Sequence, residues 1–119
     1  MAFAYDFNQS VDNLPKNLTH LKLGYSFNQS VDNLPKNLTH LRLGYHFNQN
    51  INNLPNNIEF LELCENFINI PNKLPKNLKY FNLYSFTLYN LSNKNIMKFQ
   101  SLLNENIMIN KYDSIYYFK

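Results

Sequence analysis

Cysteine occurs once in this chain, at Cys64, so no disulfide can close within it, and such usage suits a reducing compartment. Glycine occurs twice, as Gly24 and Gly44, which leaves no Gly-rich loop able to cradle a phosphate. Tryptophan is absent, and alanine is confined to Ala2 and Ala4. No apolar stretch approaches the roughly 20 residues of a membrane helix. The N-terminal MAFAYDFN lacks a basic region followed by an apolar run, so no signal peptide is expected. The formal net charge of +3 is small and its basic residues are scattered, which is a weak signal for nucleic acid. The expectation is a cytoplasmic protein that is not secreted and has no membrane partner.

Apolar residues make up 45% of the chain and aromatics 16%, enough material for a core at this length. Asparagine is the most frequent residue, with 23 copies. Asn, Lys, Ile, Phe and Tyr all use A/T-rich codons, and regular leucines and phenylalanines separate the asparagines. The composition therefore reads as that of an A/T-rich gene and not of a prion-like tract.

The regularity has a period of twenty. FNQSVDNLPKNLTHLKLGY (Phe7–Tyr25) returns as FNQSVDNLPKNLTHLRLGY (Phe27–Tyr45), and Lys22 against Arg42 is the one difference over 19 positions. Phe7, Phe27, Phe47 and Phe67 keep the step, as do Pro15, Pro35, Pro55 and Pro75. Full units span 7–26, 27–46, 47–66 and 67–86, and residues 1–6 align with the end of a unit. Within each unit runs the pattern L-x-x-L-x-L, as in Leu18, Leu21 and Leu23. Its alternating end predicts a short strand, and the Leu-Pro-x-Asn before it suits a turn. This is the strand half of a leucine-rich repeat.

One such unit cannot bury its own leucines, whereas stacked units can, each strand pairing in parallel with the next at about 4.8 Å. The inward set expected in the first unit is Phe7, Val11, Leu14, Leu18, Leu21 and Leu23, with a ladder formed by the Asn17 column. The predicted fold is a β-solenoid of leucine-rich-repeat type over residues 1–86. It has one parallel strand per twenty residues, short or no convex helices, and a C-terminal helical cap.

On these residues the chain resembles the FNIP repeat, a leucine-rich-repeat variant abundant in social amoebae and in giant viruses that infect amoebae. The motif places Phe-Asn-Gln, Leu-Pro and L-x-x-L-x-L-Gly in fixed register. Family members often carry Asn before the Phe; here Ser26 and His46 stand there, and Asn66 keeps it. The resemblance implies a non-enzymatic binding module, in the host cytoplasm if the gene is viral, where its protein partner can be a host protein. Many members also carry an F-box, which implies substrate capture for ubiquitin ligases. The repeats begin at residue 1, so no F-box is expected within this chain.

Residues 87–119 are expected to cap the array. Ile96, Phe99 and Leu103 have helical spacing, and Ser92 or Asn93 suits the N-cap. A peptide-binding or dimerising helix is the rival reading. Residues 107–119 form either a further strand or an irregular tail.

Residues between the leucines of such a strand face the concave surface, and stacking sets them in columns. These are His20, His40, Phe60 and Tyr80; Lys22, Arg42, Glu62 and Asn82; Gly24, Gly44, Cys64 and Tyr84; and Tyr5, Tyr25, Tyr45 and Glu65. Aromatics and Arg are common interface anchors. The candidate partner-binding set is therefore His20, Lys22, Tyr25, His40, Arg42, Tyr45, Phe60, Glu62 and Tyr80. A second candidate is self-association as a homo-dimer or higher oligomer through Met1, Ala2, Phe3, Ala4 and Tyr5. There Met1 and Phe3 take the places of core leucines, and no charge on Ala2 or Ala4 discourages edge pairing.

Other chemistries find less support. His20 and His40 supply two of the four ligands a structural zinc needs, and Phe60 follows them, so no metal or other cofactor is expected. Cys64 stands between Glu62 and Glu65, which raise a thiol pKa and do not activate it. No Ser-His-Asp arrangement or paired-carboxylate spacing appears, so the chain is not expected to be an enzyme. Glu59, Glu62 and Glu65 interrupt the basic stripe that nucleic acid would need.

Overall fold

The computed structural model describes residues 1–64, 67, 69–83, 101–103 and 108–109. Among the described residues five strands follow one another: β1 His20–Lys22, β2 His40–Arg42, β3 Phe60–Leu63, β4 Tyr80–Leu83 and β5 Met108–Ile109. They form one parallel sheet in sequence order. The register moves by twenty residues at each of the first three steps: His20 to His40 to Phe60 to Tyr80, and Leu21 to Leu41 to Leu61 to Phe81. Upstream of β1, Ala2 makes a parallel bridge to Lys22, again twenty residues apart. At the far end β5 pairs with β4, so of the two alternatives for residues 107–119 a further strand is present at Met108–Ile109. The helix expected over 92–106 lies outside the described residues except for 101–103. Of these, Ser101 and Leu102 are helical, and Leu103 packs on the core.

The strands are short because each unit spends most of its length turning. The carbonyls of Pro15, Pro35, Pro55 and Pro75 accept from Leu18, Leu38, Ile58 and Leu78 at 3.2 Å, closing the expected turn into each strand. A second turn leaves the strand, where the amides of Phe27, Phe47 and Phe67 donate to Gly24, Gly44 and Cys64. The Phe-Asn-Gln-to-Leu-Pro half of each unit runs through bends and turns and contains no helix among the described residues.

The core lies behind the sheet and repeats with the same step. Leu21, Leu41, Leu61 and Phe81 are buried beneath the strands, with Leu23, Leu43 and Leu63 beside them. Val11, Val31 and Ile51 close the opposite wall. Phe7, Phe27, Phe47 and Phe67 stack with ring centres 6.1–6.2 Å apart, and the last three are fully buried. Phe7, Leu14 and Leu18, in the first unit, are only partly buried, because a stack covers an inward residue from both neighbours and its end from one.

Asparagine forms ladders in two columns, most regularly in the Asn8 column and in part in the expected Asn17 column. The side-chain carbonyl of Asn8 accepts from the Asn28 amide at 2.9 Å and from Gln29 Nε2 at 3.1 Å. Asn28 repeats both bonds toward Asn48 and Gln49. In the Asn17 column, Asn57 donates to the Lys36 carbonyl at 2.9 Å and Asn77 to Asn57 Oδ1 at 3.4 Å. The Phe-Asn-Gln triplet was the sequence signal for the stronger ladder.

Candidate functional site: an aromatic and basic strand face

Strand alternation decides which side chains are offered to a partner. In β1 and β2 the central leucine is buried, while its neighbours His20, Lys22 and Arg42 are exposed and His40 is half-buried. Parallel pairing in the twenty-residue register sets like beside like. The rings of His20 and His40 stack at 4.1 Å with planes 11° apart, and His40 and Phe60 follow at 5.8 Å. Tyr80 comes next in register and is 48% exposed.

The second column holds Lys22, Arg42, Glu62 and Asn82. The guanidinium of Arg42 lies over the Phe60 ring, 5.2 Å from its centre, a cation–π contact that holds the arginine against the sheet. The Glu62 carboxylate accepts from Asn82 Nδ2 at 2.8 Å. Lys79 pairs with Glu59 at 3.4 Å, the one salt bridge among the described residues.

At the turn leaving each strand, Tyr5 and Tyr25 stack at 4.5 Å and Tyr25 and Tyr45 at 4.8 Å, nearly parallel. His46 meets Tyr25 and Tyr45 edge-on, a contact that the residue pattern did not single out. Lys22 meets the N-terminal segment through its backbone, donating to the Met1 carbonyl at 2.9 Å and accepting from Phe3 at 3.0 Å.

Gly24 and Gly44, expected in a column of the concave face, pack against backbone instead. A Cβ on Gly24 would lie 2.6 Å from the Ala4 carbonyl oxygen, and one on Gly44 would collide with that of Gly24. These positions point at the backbone of the preceding unit and serve close packing. No glycine has positive φ, so close approach is their role and not an unusual turn. Glu65 and Tyr84 lie outside the described residues.

The histidines are fixed by their threonines. Thr39 Oγ1 donates to the Thr19 carbonyl at 3.1 Å and lies 2.9 Å from His40 Nδ1. With its proton committed to the carbonyl, the hydroxyl must accept from His40, so Nδ1 carries the proton and Nε2 the lone pair. Burial holds His40 below the usual histidine range, and the charge of His20 adds to this; Glu59 opposes the shift, and Arg42 reinforces it. Parallel rings direct their outer nitrogens along parallel lines, which do not converge on one ion. Among the described residues no three of His, Cys, Asp and Glu gather in metal-binding geometry. Among them, too, no helix is long and apolar enough to cross a membrane.

The sequence model of the FNIP repeat matches residues 7–33 and 30–66, two overlapping stretches over the units that build β1, β2 and β3. Neither a curated protein nor a solved structure gives a significant match.

Proposed function

This chain belongs to the FNIP-repeat family, and on that premise we propose that it is a non-enzymatic protein-binding module. In this reading the units form a leucine-rich-repeat solenoid, capped by residues 87–119, whose concave face docks a protein partner in the cytoplasm, that of the amoebal host if the gene is viral. The docking residues are His20, Lys22, His40, Arg42, Phe60, Glu62 and Tyr80, with Tyr25 and Tyr45 beside them.

The observation that carries the reading is the ordered His20–His40–Phe60 stack with Arg42 held over Phe60. Ring stacking and the cation–π contact fix these side chains before a partner arrives, so little conformational freedom is lost on docking. Aromatic and Arg anchors are the groups that dominate protein interfaces.

The test is capture of a partner from amoebal lysate by the full chain, compared with a Tyr45→Ser/Phe60→Ser variant. A specific partner should be lost while thermal unfolding remains cooperative. A partner that survives this change and is lost on altering the opposite, Asn8-bearing side would place docking elsewhere.

A second reading, self-association through Met1–Tyr5, is favoured by the half-covered first unit. The bonds from Phe3 and to Met1 face β1, so the amide and carbonyl of Ala2 between them face the outer edge. Two such edges related by a two-fold axis would pair and cover Phe7, Leu14 and Leu18. Sedimentation at micromolar concentration should then show a species larger than 14.2 kDa that Phe3→Lys splits. A single 14.2 kDa species would reject this reading.

A further inference from the structure

The strand face divides into two electrically unlike halves. In the later half the carboxylates are already engaged, Glu59 with Lys79 and Glu62 with Asn82. In the earlier half Lys22 and Arg42 stand directly opposite each other on adjacent strands, both exposed. The Lys79–Glu59 bridge being the one among the described residues, neither cation is paired with a carboxylate there. Like charges directly opposite on neighbouring strands are destabilising. Of the two differences between these near-identical units, Ser26 against His46 and Lys22 against Arg42, the second falls at this position and keeps the charge. An anionic occupant would relieve the repulsion.

The rings beside these cations limit what that occupant is. Tyr25 is covered on one face by Tyr5 and on the other by Tyr45, and His40 by His20 and Phe60. Binding of single-stranded nucleic acid relies on bases stacking on open aromatic faces. Here both faces of the inner rings are taken. An ammonium and a guanidinium fork suit carboxylates, which accept hydrogen bonds and need no stacking partner.

We propose that the Lys22–Arg42 half of this face binds an acidic, extended segment of a protein partner. This rests on the docking face proposed above and specifies its partner's chemistry.

A fluorescent peptide of alternating Glu and Ser is the probe, titrated by polarisation against the full chain at low salt. Binding should weaken with added salt. Lys22→Glu/Arg42→Glu should weaken it by about tenfold or more, and Lys22→Gln/Arg42→Gln by less. Lys16→Glu/Lys36→Glu, the same change in net charge at exposed turn positions, should leave it within about twofold. Absence of binding, or equal loss in the Lys16/Lys36 variant, overturns the proposal. So does an oligothymidylate that binds more tightly than the peptide and depends on Lys22 and Arg42. If the acidic probe fails while a captured partner still requires Tyr45 and Phe60, this inference falls and the docking face stands. A partner retained by the Tyr45→Ser/Phe60→Ser variant overturns the docking face itself.

Discussion

The imidazole of His40 lies parallel to that of His20, ring centres 4.1 Å apart, each bonded to the threonine before it in the chain. The pair exists because two units repeat the same residues and the sheet register moves by the length of one unit. Neutral rings stack comfortably in this geometry, but two imidazolium ions would repel. Each repeated titratable residue thus becomes its own neighbour's electrostatic environment.

Acid should therefore destabilise the fold through His40. Its folded pKa is lowered, so between that value and the ordinary 6.5 the unfolded chain binds more protons than the folded one. The stabilising contribution is complete above 6.5 and is lost as pH falls through the folded value. Urea midpoints of the wild type should fall on moving from about pH 7.5 to about pH 5.5, and His40→Gln should show a smaller fall. An identical pH dependence in the two proteins would place the effect on other groups.

Gly44→Ala should destabilise by about 1–3 kcal/mol or more, as overpacking does. The added methyl meets the backbone of Gly24 and Leu23, which cannot swing aside as a flexible side chain can. Thermal unfolding measures this. A variant as stable as the wild type would show that neighbouring units separate readily at this turn.

Leu41→Ala should cost about 2–5 kcal/mol, because Leu41 is 0% exposed beneath the middle of the sheet. The same truncation at Leu18 should cost less, since that residue belongs to the first unit and is only partly buried. Equal losses at the two sites in chemical unfolding would mean that the first unit is covered as fully as the second, for instance by a second copy.

Asn28→Ala should be more harmful than Asn28→Asp. Asn28 Oδ1 accepts from the Asn48 amide at 2.9 Å and from Gln49 Nε2 at 3.1 Å. Alanine leaves both half-buried donors without this acceptor, a loss of about 1–3 kcal/mol, whereas aspartate keeps an oxygen in place. Denaturant midpoints should rank wild type, Asp, Ala, and a reversed order of the two variants would remove the ladder from the account of stability.

The sequence by itself determined the period, the strand positions and the buried set. Phe, Leu-Pro and L-x-x-L-x-L recur every twenty residues, and alternation within so short a strand admits one register once the leucines must face inward. The columns His20–His40–Phe60 and Lys22–Arg42–Glu62 follow from that register by counting. Tertiary structure decided what counting cannot reach. The glycine positions, expected on the concave face, proved to be a packing seam, because the approach of one unit's backbone to the next depends on the path of the turns and not on spacing. The asparagine ladder is most regular through Asn8 and Asn28, while the Asn17 column bonds at Asn57 and Asn77, because a hydrogen bond needs its donor and acceptor within about 3 Å, and many asparagines share the same period. The pairing of Glu59 and Glu62 with Lys79 and Asn82, which leaves Lys22 and Arg42 without a salt bridge among the described residues, is likewise a choice among side-chain rotamers. Periodicity fixes which residues are neighbours; only the packed chain fixes which of their polar atoms meet.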